Sequence, residues 1–282
     1  MKRYTFNDFN HQFPTDDLCL DWLFHRFYPN GRLVCKSCKK ETLHHRVQSR
    51  PSYSCDECGH HVHPTAGTIF HKSSTSLRLW FYAIYLISST RMGISAKQLE
   101  RELGVTYKTA WRMMKQIRSM MGDDKMDKLD GIVEIDETYV GGRVKGHYRQ
   151  NNNKTPLMGM VERGGRVRTK VVKSDGGRDL LPHVRDNISK DATVMSDQLM
   201  AYKALPAMGY DHRSVNHQRE WAVGHTHTNT IEGFWSIFKA GTRGVYRKVG
   251  KQYLQSYANE YAFRYSHRNS NVPMFQLLLE RI

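Results

Sequence analysis

The chain has 282 residues, with 43 lysines and arginines against 27 aspartates and glutamates, a net charge of +16 and a pI near 9.7. At about 100 to 200 residues per domain this length holds more than one buried core. The excess charge points to a polyanionic partner and is spread evenly: 19 basic and 11 acidic residues run through Lys125, 24 and 16 follow it, and each part carries +8.

Met1 to Asn10 is polar, unlike a secretory leader, and the most apolar run, Leu77 to Ile87, is shorter than the roughly 20 residues a membrane span needs. A soluble intracellular protein with no membrane partner is expected. Its five cysteines then argue against a disulfide framework.

Residues 15 to 28 read as a helix capped by Thr15, with Asp16 and Asp17 at its positive end and Pro29-Asn30-Gly31 stopping it. Cys19 lies inside it as a small buried hydrophobe. Cys35-x-x-Cys38 and Cys55-x-x-Cys58 follow, 16 residues apart, the spacing of a zinc ribbon; a redox pair is the alternative. Four sulfur ligands close the shell, so the metal would stabilise a small fold and do no chemistry. That leaves His44, His45, His60, His61, His63 and His71 as surface or DNA-facing residues. Residues 76 to 89 are apolar nearly all round, with Trp80, Phe81, Ile84, Leu86 and Ile87, the pattern of a helix buried between others.

Residues 94 to 118 read as a helix-turn-helix: Ser95 caps, Leu99 and Leu103 face inward, Gly104 turns, and Thr106 caps a second helix burying Ala110, Met114 and Ile117. A second helix of that kind enters the major groove, which directs Tyr107, Lys108, Arg112 and Lys115 towards DNA; a plain helical hairpin is the alternative. Residues 121 to 129 are polar and read as a linker. The expected domains are 1–72 (helix and zinc ribbon), 73–125 (helical, DNA-binding) and 126–282 (α/β).

The third part opens on Asp130-Gly-Ile-Val-Glu-Ile-Asp-Glu-Thr-Tyr-Val-Gly, a strand by its β-branched and aromatic residues. Alternation puts Glu134, Asp136 and Thr138 on one face and Ile135 and Glu137 on the other. A carboxylate in mid-strand needs a metal, a partner or water, or else the strand is a half-exposed edge. A Gly, Asn, Arg and Lys-rich loop (143–154) leads to strands at 156–161 and 167–172 joined by Gly164-Gly165, a helix at 178–188, and a strand at 192–197 ending on Asp197. Catalytic groups gather at such strand ends. The stretch from 226 to 240 reads as a helix begun at Thr228 or Asn229; Asn229, Glu232, Ser236 and Lys239 share one face, and Ile231, Phe234, Trp235 and Phe238 cover the rest. A final helix, about 252 to 267, keeps Leu254, Tyr257, Ala258, Tyr261 and Tyr265 on one side and leaves Arg264, His267 and Arg268 for solvent or phosphate.

A hairpin, a helix, a strand and an acidic helix, with Asp136, Asp197 and Glu232 in place, is the order of the ribonuclease-H-like fold. From about Asp16 onward the chain resembles bacterial insertion-sequence transposases of the DDE class that carry an N-terminal zinc ribbon and helix-turn-helix. The stretches 133–142, 157–165, Ser196-Asp197 and 227–236 carry the resemblance. It implies a multidomain α/β protein whose C-terminal ribonuclease-H-like domain has a mixed sheet, and a triad of Asp136, Asp197 and Glu232 binding two Mg²⁺ or Mn²⁺ ions.

Magnesium's taste for carboxylate oxygen, and the use of two ions in an in-line phosphoryl displacement, suit those residue types. Asn229 rivals Glu232 as third ligand, Lys239 is placed to hold a phosphate, and Glu134 to act as a further acid behind Asp136. The expected partners are element ends and target DNA, engaged by a homodimer or larger assembly in the bacterial cytoplasm near the nucleoid. Arg247 and Ser266 depart from the residues frequent in relatives, histidine and asparagine. A DNA-binding regulator derived from a transposase and a nuclease without strand transfer are the alternatives.

Overall fold

The computed structural model describes residues 4–122, 127–141, 154–215 and 227–282; the loop expected at 143–154 lies outside them except for Lys154. The chain divides into two compact units, residues 1–120 with 271–282, and residues 121–270. Among the described residues no helix is long and apolar enough to cross a membrane.

In the first unit α1 (Phe6–Gln12) opens on a reciprocal cap between Thr5 and Asp8, a helix that the polar look of the N-terminus conceals. Thr15 caps α2 (Asp16–Phe27), which buries Cys19, Leu20, Leu23 and Phe24. Strands β1 (Arg32–Val34), β2 (Glu41–Val47), β3 (Ser52–Cys55) and β4 (His61–Val62) form an antiparallel sheet in chain order. α3 (Leu77–Ser89) buries Trp80, Phe81, Ala83, Ile84 and Ile87. The Asp16 carboxylate accepts the Ser76 hydroxyl (2.6 Å) and the Arg78 N–H (2.7 Å) there, so it caps the start of α3.

α4 (Ala96–Leu103) and α5 (Tyr107–Ser119) form the expected pair: Ser95 and Thr106 cap them, Gly104 takes φ 64°, where a Cβ would be strained, and Leu99, Ala110, Met114 and Ile117 are buried.

The second unit holds a mixed sheet. β5 (Ile132–Val140), β6 (Thr155–Glu162) and β7 (Val167–Val171) are antiparallel, and β8 (Thr193–Ser196) and β9 (Asp211–Ser214) run parallel to β5, in the order β7-β6-β5-β8-β9. β9 is the strand that the sequence hides, because Asp-His-Arg-Ser at a sheet edge shows no apolar alternation. One face of the sheet, with Val133, Ile135, Met158 and Met160, packs on α6 (Gly177–Asn187) through Leu180 and Val184. The other, with Leu157 and Val161, packs on α7 (Asn229–Gly241) and α8 (Leu254–Ser266). The alternation expected along β5 therefore holds: Val133 and Ile135 point to α6, and Glu134 and Asp136 to α7. Ser266 Oγ accepts the Val167 N–H at 3.0 Å and ties the end of α8 to β7, so the departure at this position has a structural use.

Residues 271–282 return to the first unit, where the sequence instead extends its third domain to residue 282. Their helix α9 (Met274–Leu279) buries Phe275, Leu278 and Leu279, and Phe275 joins an aromatic cluster with Tyr4 (4.7 Å between centroids), Phe13 (6.0 Å) and Phe9 (6.1 Å). An apolar triplet that short reads as a tail in sequence; its partners lie some 260 residues away.

Candidate active site and metal centre

The four cysteines lie on two like turns. Lys39 N–H bonds back to the Cys35 carbonyl and Gly59 N–H to the Cys55 carbonyl, each at 2.9 Å, and both turn residues have positive φ. All four sulfurs lie within 4.8 Å of one another, with Cys35–Cys58 at 3.6 Å and Cys38–Cys55 at 3.9 Å. A tetrahedron with Zn–S bonds of about 2.3 Å has edges of about 3.8 Å, so the donors fit this metal. The Thr42 hydroxyl, 3.1 Å away, pulls the Cys55 thiol down to about 6, aided by the N–H groups of Cys58 and Glu57, as a thiolate ligand requires. The six nearby histidines are not part of this cluster. His45, His60, His63 and His71 are exposed, as expected; His44 is buried on the Thr42 carbonyl and His61 bonds Ser52, which corrects the surface reading for those two.

The three acids converge on the α7 side of the second sheet. β5 and β8 run parallel with Glu134 beside Met195. Two residues further along come Asp136, still on β5, and Asp197, one residue past the end of β8 at Ser196. α7 crosses the same face and presents Glu232 from its first turn. Burial pushes the Asp136 carboxyl up to about 6. The charges of Asp197 and Glu232 add to this, while the Glu137 N–H and the Trp235 indole oppose it. Carboxylates are the hard oxygen donors that Mg²⁺ and Mn²⁺ take; among the described residues, the group whose ligand atoms all lie within 4.8 Å of one another is the four thiols.

Asn229, Glu232 and Ser236 are exposed on one face of α7 with Lys239 half-buried beside them, as the spacing predicts. The Thr228 hydroxyl donates to Glu232 at 3.0 Å and the Leu199 N–H to Asp197 at 3.0 Å.

Trp235 Nε1–H donates to Asp136 Oδ2 at 3.0 Å. The sequence assigns this tryptophan to the core and gives no hint of the bond. Gly159, opposite Asp136 on β6, makes it possible: a Cβ there would lie 2.5 Å from Trp235 Cζ2 and 2.8 Å from Ile231 Cδ1. Glu137, on the opposite face, meets the Tyr202 hydroxyl, and burial with the charges of Asp136, Asp197 and Asp175 pushes its carboxyl up to about 8. Glu134, on the same face of β5 as Asp136, is fully buried and is engaged by the start of α7.

Of the residues assigned to DNA, Tyr107 and Lys108 are exposed at the start of α5, and Lys115 is exposed with its ammonium 5.8 Å from the Trp111 ring. Arg112 is folded back: its guanidinium donates to Ser73 Oγ at 3.0 Å and lies over the Trp80 ring. Arg264 is buried, bonding fully buried Glu260 at 2.9 Å, and Arg268 donates to the carbonyls of Gly165 and Tyr265 while covering the Tyr265 ring. These guanidiniums serve their own fold, against expectation, because an arginine on a helix reads the same in sequence whether its partner is a phosphate or a carbonyl.

Residues 128–266 match the ISXO2-like transposase domain. A protein of the transposable element ISH50 of Halobacterium salinarum is 28% identical over 83% of this chain and 85% of its own length. A transposase-like protein of Haemophilus influenzae is 26% identical over 36% of this chain and 82% of its own. A chain from the simian T-cell lymphotropic virus intasome in complex with the PP2A regulatory subunit B56 gamma aligns with 70% of this chain and 74% of its own, at 14% identity and a TM-score of 0.34, too slight a likeness to argue from. Residues 128–266 thus form an ISXO2-like transposase domain, and this match together with the two relatives supports an insertion-sequence transposase.

Proposed function

We propose that the protein is a DDE-class DNA transposase that cleaves DNA at the ends of its element and joins the freed 3′-hydroxyl to target DNA. The observation that carries this is the convergence of Asp136, Asp197 and Glu232 from two adjacent parallel strands and a crossing helix, close enough for two of them to raise the third. The unit around them is read as ribonuclease-H-like.

Two divalent ions, when bound there, supply Lewis-acid stabilisation of the entering and leaving oxygens of an in-line displacement at phosphorus. Asp136 would offer its Oδ1 side, since Trp235 holds Oδ2, Asp197 would join it from the end of the adjacent strand, and Glu232 from the helix, with Asn229 one turn before it as the rival donor. Lys239, two turns on, gives a phosphate a cation to rest against. The four cysteines hold a structural Zn²⁺, α5 meets the duplex through Tyr107, Lys108 and Lys115, and the enzyme works on paired ends as a dimer or larger assembly in the cytoplasm at the nucleoid.

Labelled duplexes carrying the element's ends, incubated with a supercoiled plasmid and Mg²⁺ or Mn²⁺, test the reading. Joining of labelled 3′ ends to the plasmid, lost in Asp136→Asn and Glu232→Gln, is the expected result. Binding without cleavage would mark a regulator, and cleavage without joining a nuclease.

A further inference from the structure

Glu134 lies on the face of β5 that carries Asp136, with no side-chain exposure at all. A buried carboxylate is costly unless every lone pair is engaged, and this one accepts four donors. They are the N–H groups of Thr230 (2.8 Å) and Ile231 (3.0 Å), the Thr230 hydroxyl (2.9 Å), and Arg163 Nε (2.6 Å). Those two N–H groups belong to the first turn of α7, whose donors have no intrahelical acceptor. A capping residue would normally serve them, but the Thr228 hydroxyl is turned to Glu232. A strand carboxylate thus caps the helix, with its charge at the positive end.

Arg163 extends the arrangement. Its Nη2 donates to the His227 carbonyl at 2.9 Å and lies 3.1 Å from the Met195 sulfur. The same nitrogen is 3.0 Å from His227 Nδ1, which also lies 3.4 Å from the Asn229 nitrogen and 3.3 Å from Glu134 Oε1. One ion pair therefore touches β5 two residues before Asp136, β8 two residues before Asp197, and α7 within two residues of Glu232.

We propose that Glu134 and Arg163 are positioning residues: their ion pair fixes the spacing of Asp136, Asp197 and Glu232, and hence the site's affinity for divalent cations, without touching the cation. The proposal rests on the reading that these three carboxylates bind divalent ions. Apolar packing alone would hold α7 against the sheet but would leave it able to slide and turn. A slip of one residue moves Glu232 by about 1.5 Å and swings it by about 100°, while magnesium demands oxygens at about 2.0 to 2.1 Å. Directed hydrogen bonds to two successive N–H groups remove that freedom.

The test is a calorimetric titration of the full chain with Mn²⁺, its cysteines saturated with Zn²⁺, for wild type, Glu134→Gln, Arg163→Lys and Asp136→Asn. Variants that keep a cooperative unfolding transition and native near-UV dichroism should bind Mn²⁺ about 10 to 100-fold more weakly at Glu134→Gln and Arg163→Lys. If Asp136→Asn removes binding while those two match wild type, the clamp is overturned and the carboxylate site stands. If Asp136→Asn binds as wild type does, the carboxylate reading itself falls and takes the clamp with it. Hydrogen exchange on the wild type needs no variant. The Thr230 and Ile231 amides should exchange as slowly as the β5–β6 amides before any Mn²⁺ is added, and rapid exchange there until Mn²⁺ arrives would overturn the proposal.

Discussion

A single missing methyl group decides how Asp136 is held. Because Gly159 leaves room for the Trp235 indole against β6, the indole N–H reaches the carboxylate. Gly159→Ala should displace the ring, cost about 1 to 3 kcal/mol of stability as overpacking does, and change the fluorescence of this buried tryptophan along with the thermal midpoint. Glu137 gives a pH dependence whose sign follows from its raised carboxyl, about 8 against an ordinary 4.5. The folded state binds this proton more tightly than the unfolded state does, so metal-free protein loses stability as pH rises from about 4.5 through about 8. Glu137→Gln should flatten that slope and exceed wild type by up to about 3 kcal/mol at pH 8 to 9 in denaturant melts; equal stability at both ends of the range would refute the assignment.

At this scale sequence reading works for residues whose chemistry is rare and fails for those whose role is set by a distant partner. The four cysteines declare themselves by their spacing, and the acids at 136, 197 and 232 stand out as carboxylates on a strand, after a strand end and on a helix face. Glu134, Arg163 and Trp235 do not, because a buried cap supplied from 96 residues away leaves no local pattern.

Among the elements, the helix-turn-helix and the cysteine ribbon were the most legible, since caps, a turning glycine and a fixed Cys spacing are local signals. Their surfaces separate cleanly into predictions. Lys108→Ala should lower duplex affinity and reduce the slope of log affinity against log salt by roughly one. Arg112→Ala should leave that slope unchanged and instead cost about 1 kcal/mol of stability, since its guanidinium sits on Ser73 and Trp80. Anisotropy titrations at several salt concentrations, with melts alongside, distinguish the two. In the ribbon, four converging thiols make one zinc per chain the expectation. Chelation should unfold strands β1 to β4, seen as a loss of β signal in the far-UV dichroism that added Zn²⁺ restores. The polar strand β9 and the capped helix α1 escaped sequence reading for the opposite reason: a short element with few apolar residues is stabilised by neighbours, not by its own pattern.

For the whole molecule, the division that matters is a discontinuous one. The first unit draws its core from both ends of the chain, with α9 filling an aromatic cluster built by α1 and its neighbours. Each large apolar side chain buried is worth about 1.5 to 3 kcal/mol. Deleting residues 271–282 should therefore destabilise the first unit by several kcal/mol, through loss of Phe275, Leu278 and Leu279, and leave the unit spanning 121–270 with its own unfolding transition. Calorimetry resolving two transitions, with only one shifted, is the expected outcome.

The same connectivity sets an order of events during synthesis. Every residue of the second unit leaves the ribosome before α9 does, so the sheet that carries the three acids can close while the first unit still lacks a wall of its core. At about 5 to 20 residues per second the nascent chain waits many seconds between the appearance of Phe9 and that of Phe275. Through that interval the first unit lacks the apolar side chains of α9, and its core is completed only once residues 271–282 have been made. Translation past α9 is thus a condition for the first unit's stability, and a product stopped before it would keep Asp136, Asp197 and Glu232 while lacking a complete first unit.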